Sequence, residues 1–253
     1  MEPTDAPIAY RADRGVATIT LNEPDRRNAL STALIARLRE SLVRATADES
    51  VRVVVLDHAG PVFCSGADLT ESAAATGAAD LPATRLAEAL ADMAEAPKPI
   101  VAVAGGAVRG GGLGLLAAAD LAICRTGTTL AFSEVRLGVV PAVIAPVVAR
   151  RLSPARMGEL FLTGRTFGAE EAAAWGLADA VAEDAAAETE RAVGRLKRGG
   201  PSALAGVKEL TGDPGLRRRL KEAAATTARY FFAPEGREGV QSFLEKDSPH
   251  WVD

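Results

Sequence analysis

Two short β-branched runs, Val51-Arg52-Val53-Val54-Val55-Leu56 and Pro99-Ile100-Val101-Ala102-Val103-Ala104, each lead into a glycine-bearing segment. The segments are Phe63-Cys64-Ser65-Gly66-Ala67-Asp68-Leu69 and Gly105-Gly106-Ala107-Val108-Arg109-Gly110-Gly111-Gly112-Leu113-Gly114. Runs of this kind that stop at glycine read as buried strands, which puts both glycine-rich loops at strand carboxyl ends. Loops so placed expose main-chain N–H groups, and converging N–H groups hold negative charge that develops on an oxygen. The plainer reading of the same glycines is tight turning and close helix–strand packing.

Val16-Ala17-Thr18-Ile19-Thr20-Leu21 alternates as a strand does, and Leu121-Ala122-Ile123-Cys124 and Ala178-Asp179-Ala180-Val181 read as further strands. After a turn at Pro24, Ser31 is placed to cap a helix with Leu34, Ile35, Leu38, Leu42 and Val43 on one stripe. Strands separated by segments of helical spacing imply an α/β fold. Residues 70–82, rich in Ala, Gly and Ser, predict a mobile loop near the glycine segments. From about Asp184 the pattern is helical, broken at Gly199-Gly200-Pro201, at Gly212-Asp213-Pro214-Gly215 and at Pro234, which predicts three or four helical pieces. Residues 1–195 are therefore expected to form the core and 196–253 a helical extension, with Arg217, Arg218 and Arg219 on a solvated helix face.

The 253 residues suffice for a substantial core, and 48% apolar with 25% charged residues is ordinary globular composition. A net charge of −4 with mixed signs argues against nucleic acid as a partner. No apolar stretch is long enough to cross a bilayer, and the acidic start Met1-Glu2-Pro3-Thr4-Asp5 lacks the features of a secretory signal, so a cytoplasmic location is expected. Cys64 and Cys124 are expected to be free thiols, and neither His58 nor His250 shows metal-ligand spacing. Two further motifs fail on detail. Gly112-Leu113-Gly114-Leu115-Leu116-Ala117 fits a loose dinucleotide fingerprint, but Gly105 to Gly111 separate it from the strand end. His58, Ser65 and Asp68 contain the groups of a hydrolytic triad, but nearness in sequence does not supply triad geometry.

Together with Phe132-Ser133-Glu134-Val135-Arg136-Leu137-Gly138, the two glycine segments make the chain resemble the crotonase (enoyl-CoA hydratase/isomerase) superfamily over nearly its whole length. The resemblance implies a spiral of ββα units with a helical C-terminal assembly region, a homotrimer or dimer of trimers, and an acyl-CoA thioester substrate. It implies no cofactor beyond coenzyme A, which enters as part of that substrate. By the same resemblance, the main-chain N–H groups of Ala67 and Gly111 hold a thioester enolate and Glu134 moves the proton. Gly66, Asp68, Leu69, Gly110 and Gly114 then lie against the substrate. In Pro24-Asp25-Arg26-Arg27-Asn28-Ala29-Leu30, Arg26, Arg27 and Ala29 correspond to the segment beside the adenine and phosphates, and Lys246 to a lysine that reaches coenzyme A on a neighbouring subunit. Many hydratases of the superfamily carry a second glutamate where this chain has Gly114. Residues 134–146 resemble the branch containing methylglutaconyl-CoA hydratases, where glycine at that position is also common. Hydration of a 2-enoyl-CoA is therefore the leading expectation, with double-bond isomerisation by Glu134 alone and a catalytically silent acyl-CoA binder as alternatives.

Overall fold

Alternation along the buried strands sorts their side chains into two cores. The computed structural model describes residues 6–252, and the acidic residues 1–5 noted above lie outside the described residues. Strands β1 (Ile8–Asp13) and β2 (Val16–Leu21) form an antiparallel hairpin. β3 (Val53–His58) and β4 (Ile100–Ala104) then extend the sheet in parallel from β2. β5 (Ala107–Arg109) leaves it at once for a second sheet, whereas β6 (Leu121–Arg125) returns beside β4. β7 (Thr129–Ala131) again belongs to the second sheet, with β8 (Phe167–Gly168) antiparallel to it, and β9 (Ala180–Ala182) closes the first sheet beside β6. The chain thus alternates between a six-stranded and a three-stranded sheet. An isolated bridge between Cys64 and Val108 adds the segment after β3 to the smaller one. Each visit to the second sheet is followed by helix, which is the spiral of ββα units that the resemblance implies.

The helices are α1 (Thr32–Ala47), α2 (Leu69–Ala74), α3 (Pro82–Glu95), α4 (Gly111–Ala118), α5 (Ala145–Val148) and α6 (Pro154–Thr163). After them come α7 (Ala169–Ala174), α8 (Ala185–Leu196), α9 (Pro201–Thr211), α10 (Leu216–Phe231) and α11 (Pro234–Glu245). Val54, Leu56, Ile100, Ala102, Ala122 and Cys124 face the main core, which also takes side chains from α1, α3 and α4. Val53, Val55, Val101 and Ile123 face the other way, into a smaller core beneath α8. That two-residue period is the pleat of a strand buried on both faces.

Ser31 does cap α1, accepting from the Leu34 amide at 3.1 Å, and Leu34, Ile35, Leu38 and Leu42 are buried. Val43, expected on the same stripe, is instead 66% exposed. The stretch expected to be a loop over 70–82 is partly helical. Asp68 caps α2 by accepting from the Glu71 amide at 3.1 Å, and small residues such as Ser72 and Ala73 then fill a short helix without crowding. The sequence reading did not single out α3, although Pro82 at its first turn and buried Leu86, Leu90 and Met93 carry a helical signal.

From Asp184 onward the chain forms four helices, α8 to α11, of which α9 to α11 make up the expected extension, and that extension packs into the core. Leu216, Leu220 and Ala224 of α10 belong to the main hydrophobic cluster. Arg217 bridges to Asp92 at 3.0 Å and to Glu95 at 2.6 Å on α3, and Arg218 pairs with Glu222 at 2.9 Å. Among the described residues no helix is long and apolar enough to cross a membrane.

Helix α11 lies directly on the turn that carries Glu134. A Cβ placed on Gly239 would come 2.5 Å from the Leu137 carbonyl oxygen, and one on Gly138 would come 2.6 Å from the Glu235 oxygen. At Gly206 in α9, by contrast, no atom lies within 4 Å of a built Cβ. Gly206→Ala is therefore expected to stabilise the fold by up to ~1 kcal/mol through helix propensity. Gly239→Ala should cost about 1–3 kcal/mol by overpacking. Urea unfolding of both variants checks the opposite signs, and a stabilised Gly239→Ala would contradict the contact.

Candidate active site

Main-chain hydrogen bonds fasten the first glycine loop between two neighbours. On one side Ser65 N–H donates to the Arg27 carbonyl at 3.0 Å, Leu30 N–H to the Gly66 carbonyl at 2.8 Å, and Asp68 N–H to the Leu30 carbonyl at 3.3 Å. On the other, Cys64 N–H donates to the Ala107 carbonyl at 3.3 Å and Arg109 N–H to the Cys64 carbonyl at 2.9 Å. Asn28 holds the outer segment. Fully buried, with φ of 51°, it accepts from the Glu23 amide at 2.9 Å and donates to the Ala59 and Val62 carbonyls at 3.0 and 2.8 Å. Asparagine tolerates this left-handed backbone better than most residues.

Gly110 turns β5 into α4 with φ of 47° and ψ of −117°, a conformation that favours glycine. Gly111, the first residue of α4, therefore points its N–H out of the helix start. Among the described residues neither the Gly111 nor the Ala67 N–H has a protein acceptor. Both residues line one cavity, together with Gly66, Leu69, Gly110 and Glu134.

Glu134 opens a short 3-10 turn, Glu134–Leu137, after the buried Phe132. Phe132 packs on Phe161 and Phe167 with ring centroids 4.8 and 6.0 Å away, which anchors the turn. A Cβ on Gly110 would lie 3.0 Å from Glu134 Oε1 and 3.7 Å from Gly66 Cα, so the carboxyl group stands against both glycine loops. Its Oε2 is buried and has no hydrogen-bond partner among the described residues. That burial raises its pKa to about 7, while its own amide acts in the lowering direction.

Most of the remaining wall is apolar, with Leu81, Pro82, Leu86, Leu137, Val139, Val143, and from α10 and α11 Phe231 and Val240, while Ser65, Ser72, Ser133, Thr227 and Arg109 supply its polar groups. Phe231 and Val240, and the buried Thr227 on α10, were not anticipated as lining. Gly114 is not brought to the cavity. It is buried inside α4, where a Cβ would meet Ile144 Cγ2 at 2.5 Å and Leu90 Cδ1 at 3.3 Å. Asp68 caps α2 and pairs with Arg26, outside the lining. Arg26, Arg27 and Ala29 lie on the segment beside the donor loop, with both arginines exposed. Lys246, the left-handed C-terminal cap of α11 with φ of 60°, is exposed and is not among this cavity's lining residues.

The rival motifs find no geometry. His58 Nε2 accepts from the Gly105 amide at 3.1 Å, while Ser65 and Asp68 belong to the donor loop. Burial pushes the Cys64 thiol up to about 12, as befits a packing residue. Among the described residues no three His, Cys, Asp or Glu side chains cluster as a metal site requires.

The sequence profile of the enoyl-CoA hydratase/isomerase family matches residues 11–253. The trans-2-decenoyl-[acyl-carrier-protein] isomerase of Streptococcus mutans is 30% identical, over 97% of either chain. The carnitinyl-CoA dehydratase of Proteus mirabilis is 32% identical, over 93% of this chain and 94% of that one. A crystal structure of an enoyl-CoA hydratase from Mycobacterium avium superposes with a TM-score of 0.89 at 38% identity, covering 98% of this chain and 100% of that chain. With two glycine loops, a glutamate between them and these relatives along its length, the chain belongs to the enoyl-CoA hydratase/isomerase family of the crotonase superfamily.

Proposed function

We propose that the chain acts on an enoyl-CoA thioester through an enolate, with Glu134 as its only proton-transfer group. The observation that carries this is the buried Glu134 carboxyl group, its Oε2 without a partner among the described residues, in one cavity with the Ala67 and Gly111 N–H groups that lack acceptors. A thioester oxygen placed between those donors gains stabilisation as charge moves onto it, and backbone donors cost no reorganisation during the reaction. The chemistry asks for no redox group or metal, because the donors hold the charge and the carboxylate holds the proton.

Of the reactions open to one carboxylate, double-bond migration has the best geometric support. Glu134 removes a proton from Cα of a 3-enoyl thioester, the electrons pass to the thioester oxygen as a dienolate, and the Glu134 carboxylic acid returns the proton to Cγ. The double bond then lies between Cα and Cβ, and atoms balance without water. Hydration, favoured on sequence, is the second reading. Here water adds hydroxide to Cβ while Glu134 takes the water's other proton and delivers it to Cα. Ser65 and Ser133 in the lining support it as groups able to hold that water. Against it, the space at Gly114 is filled by Ile144 and Leu90, so no second carboxylate can stand there to position water.

The coenzyme would run past the outer segment. Arg26 is committed to Asp68, which leaves Arg27 the freer guanidinium for a phosphate. Lys246 would reach coenzyme A only across a subunit boundary, in a trimer or a pair of trimers.

Glu134→Gln should lower kcat by about 10²- to 10⁴-fold with thioester binding nearly unchanged. Steady-state kinetics beside calorimetric binding checks this, and full turnover by the variant would remove Glu134 from the mechanism. Because the base form does the work, kcat/KM should fall about tenfold per pH unit below a midpoint near 7 and level off above it. The same shift has a stability sign. A carboxyl group raised from its ordinary range to about 7 contributes stability at low pH that is lost as pH rises through 7, so Glu134→Gln should gain on the parent protein between pH 5 and pH 8. The gain should be about 1–3 kcal/mol, read as a widening difference in unfolding midpoint. Incubation with 3-enoyl- and 2-enoyl-CoA thioesters separates the two readings by mass. Double-bond migration leaves the mass unchanged, whereas a gain of one water on a 2-enoyl substrate, with no migration on a 3-enoyl one, would establish hydration.

A further inference from the structure

Beyond Glu134 the cavity is walled on one side by Leu81, Val139, Phe231 and Val240 of a small hydrophobic cluster and on the other by main-core residues such as Leu30, Leu86 and Val143. Among the described residues two ionisable side chains line it, Glu134 and Arg109. Arg109 ends the strand leading to Gly110, and its guanidinium donates to the Thr129 carbonyl at 2.7 Å, to Thr129 Oγ1 at 3.1 Å and to the Val108 carbonyl at 3.0 Å. It is thus engaged at the donor-loop end. Thr227, a buried polar residue of the α10 wall, accepts from the Val143 amide at 3.0 Å. Another cation, Arg237, lies in an adjoining cleft that shares Phe231 and Val240 with the cavity, its guanidinium 5.7 Å from the Phe232 ring centroid. Phe231 and Val240 therefore stand between an apolar chamber and a positive charge.

We propose that the acyl site takes an uncharged hydrocarbon chain and rejects one that ends in a carboxylate, with Phe231 as the specificity-determining wall that keeps Arg237 out of reach. This rests on the reading of the cavity as the acyl site of a thioester enzyme. A hydrocarbon chain completes the cluster and gains from leaving water. A terminal carboxylate would lose its hydration among leucine, valine and phenylalanine, find no free cation, and share the chamber with Glu134. A methylglutaconyl thioester, to whose branch residues 134–146 are similar, carries such a carboxylate and is excluded on this ground.

Two saturated thioesters of equal length, hexanoyl-CoA and adipoyl-CoA, test the idea by calorimetry without any turnover. Hexanoyl-CoA should bind at least about a hundredfold more tightly. Phe231→Ala opens the chamber towards Arg237 and should improve adipoyl-CoA binding about tenfold, a gain that Arg237→Gln in the same background removes. Should Phe231→Ala fail to fold, Phe231→Leu and the parent protein's own preference decide. Adipoyl-CoA binding within about threefold of hexanoyl-CoA overturns the selectivity and leaves the proton-transfer reading intact. Selective hexanoyl-CoA binding by a protein that turns over no enoyl thioester does the reverse. Binding of neither thioester overturns both, and an unchanged adipoyl-CoA affinity in Phe231→Ala removes Phe231 as the wall.

Discussion

The fastening of the 64–68 loop between residues 27–30 and strand β5 is the constraint on which the site depends. A main-chain N–H can serve a ligand only if it is held in place yet left without an acceptor, and those demands conflict in most loops. Here neighbouring amides take up the structural bonds, at Ser65, Leu30, Asp68 and Arg109, and Ala67 is the residue between them left with a free N–H. Asn28 extends the same arrangement outward, tying the supporting segment to the carbonyls of Ala59 and Val62. The Ala67 N–H is therefore carried on backbone whose position is fixed on folding.

Glu134 is the counterpart of that arrangement in a side chain. A carboxyl group with one buried, unpartnered oxygen is unfavourable when ionised, and the fold tolerates it because the proton is held until about pH 7. Desolvation drives the rise against the opposing effect of its own amide, and among the described residues the other charged side chain in the lining is the engaged Arg109. A second carboxylate close to Glu134 would raise one of the two pKa values further and separate the roles of acid and base, whereas a lone carboxyl group near neutrality both gives and takes a proton.

The chemistry-bearing loops were legible because their signals are local. A β-branched run that ends in glycine, then alanine or a glycine triplet, announces both the strand and the exposed amides within a dozen residues, and Glu134 sits in an equally compact motif. Less was legible where placement depends on distant chain. Helix α2 follows from the cap at Asp68, yet its small residues carry no apolar period, and so its sequence reads as loop. Gly114 can be read from sequence as a missing carboxylate, but the atoms that fill its place come from Ile144 and Leu90 on other elements. Thr227, Phe231 and Val240 enter the wall from the far end of the chain, and helical periodicity there says only that one face is buried, not what it is buried against.

That distant wall changes what the C-terminal segment means for the site. Helix α10 is part of the main core through Leu216, Leu220 and Ala224, while α11 touches the Glu134 turn backbone to backbone at Gly138 and Gly239. Contact of that kind has no flexible side chain to absorb a shift, so a displacement of α11 is felt at the turn that bears the carboxyl group. Phe231 of α10 and Val240 of α11 also line the cavity that holds Glu134. The helices that brace the turn from outside therefore supply apolar wall to the same cavity as the buried carboxyl group, whose burial raises its pKa to about 7.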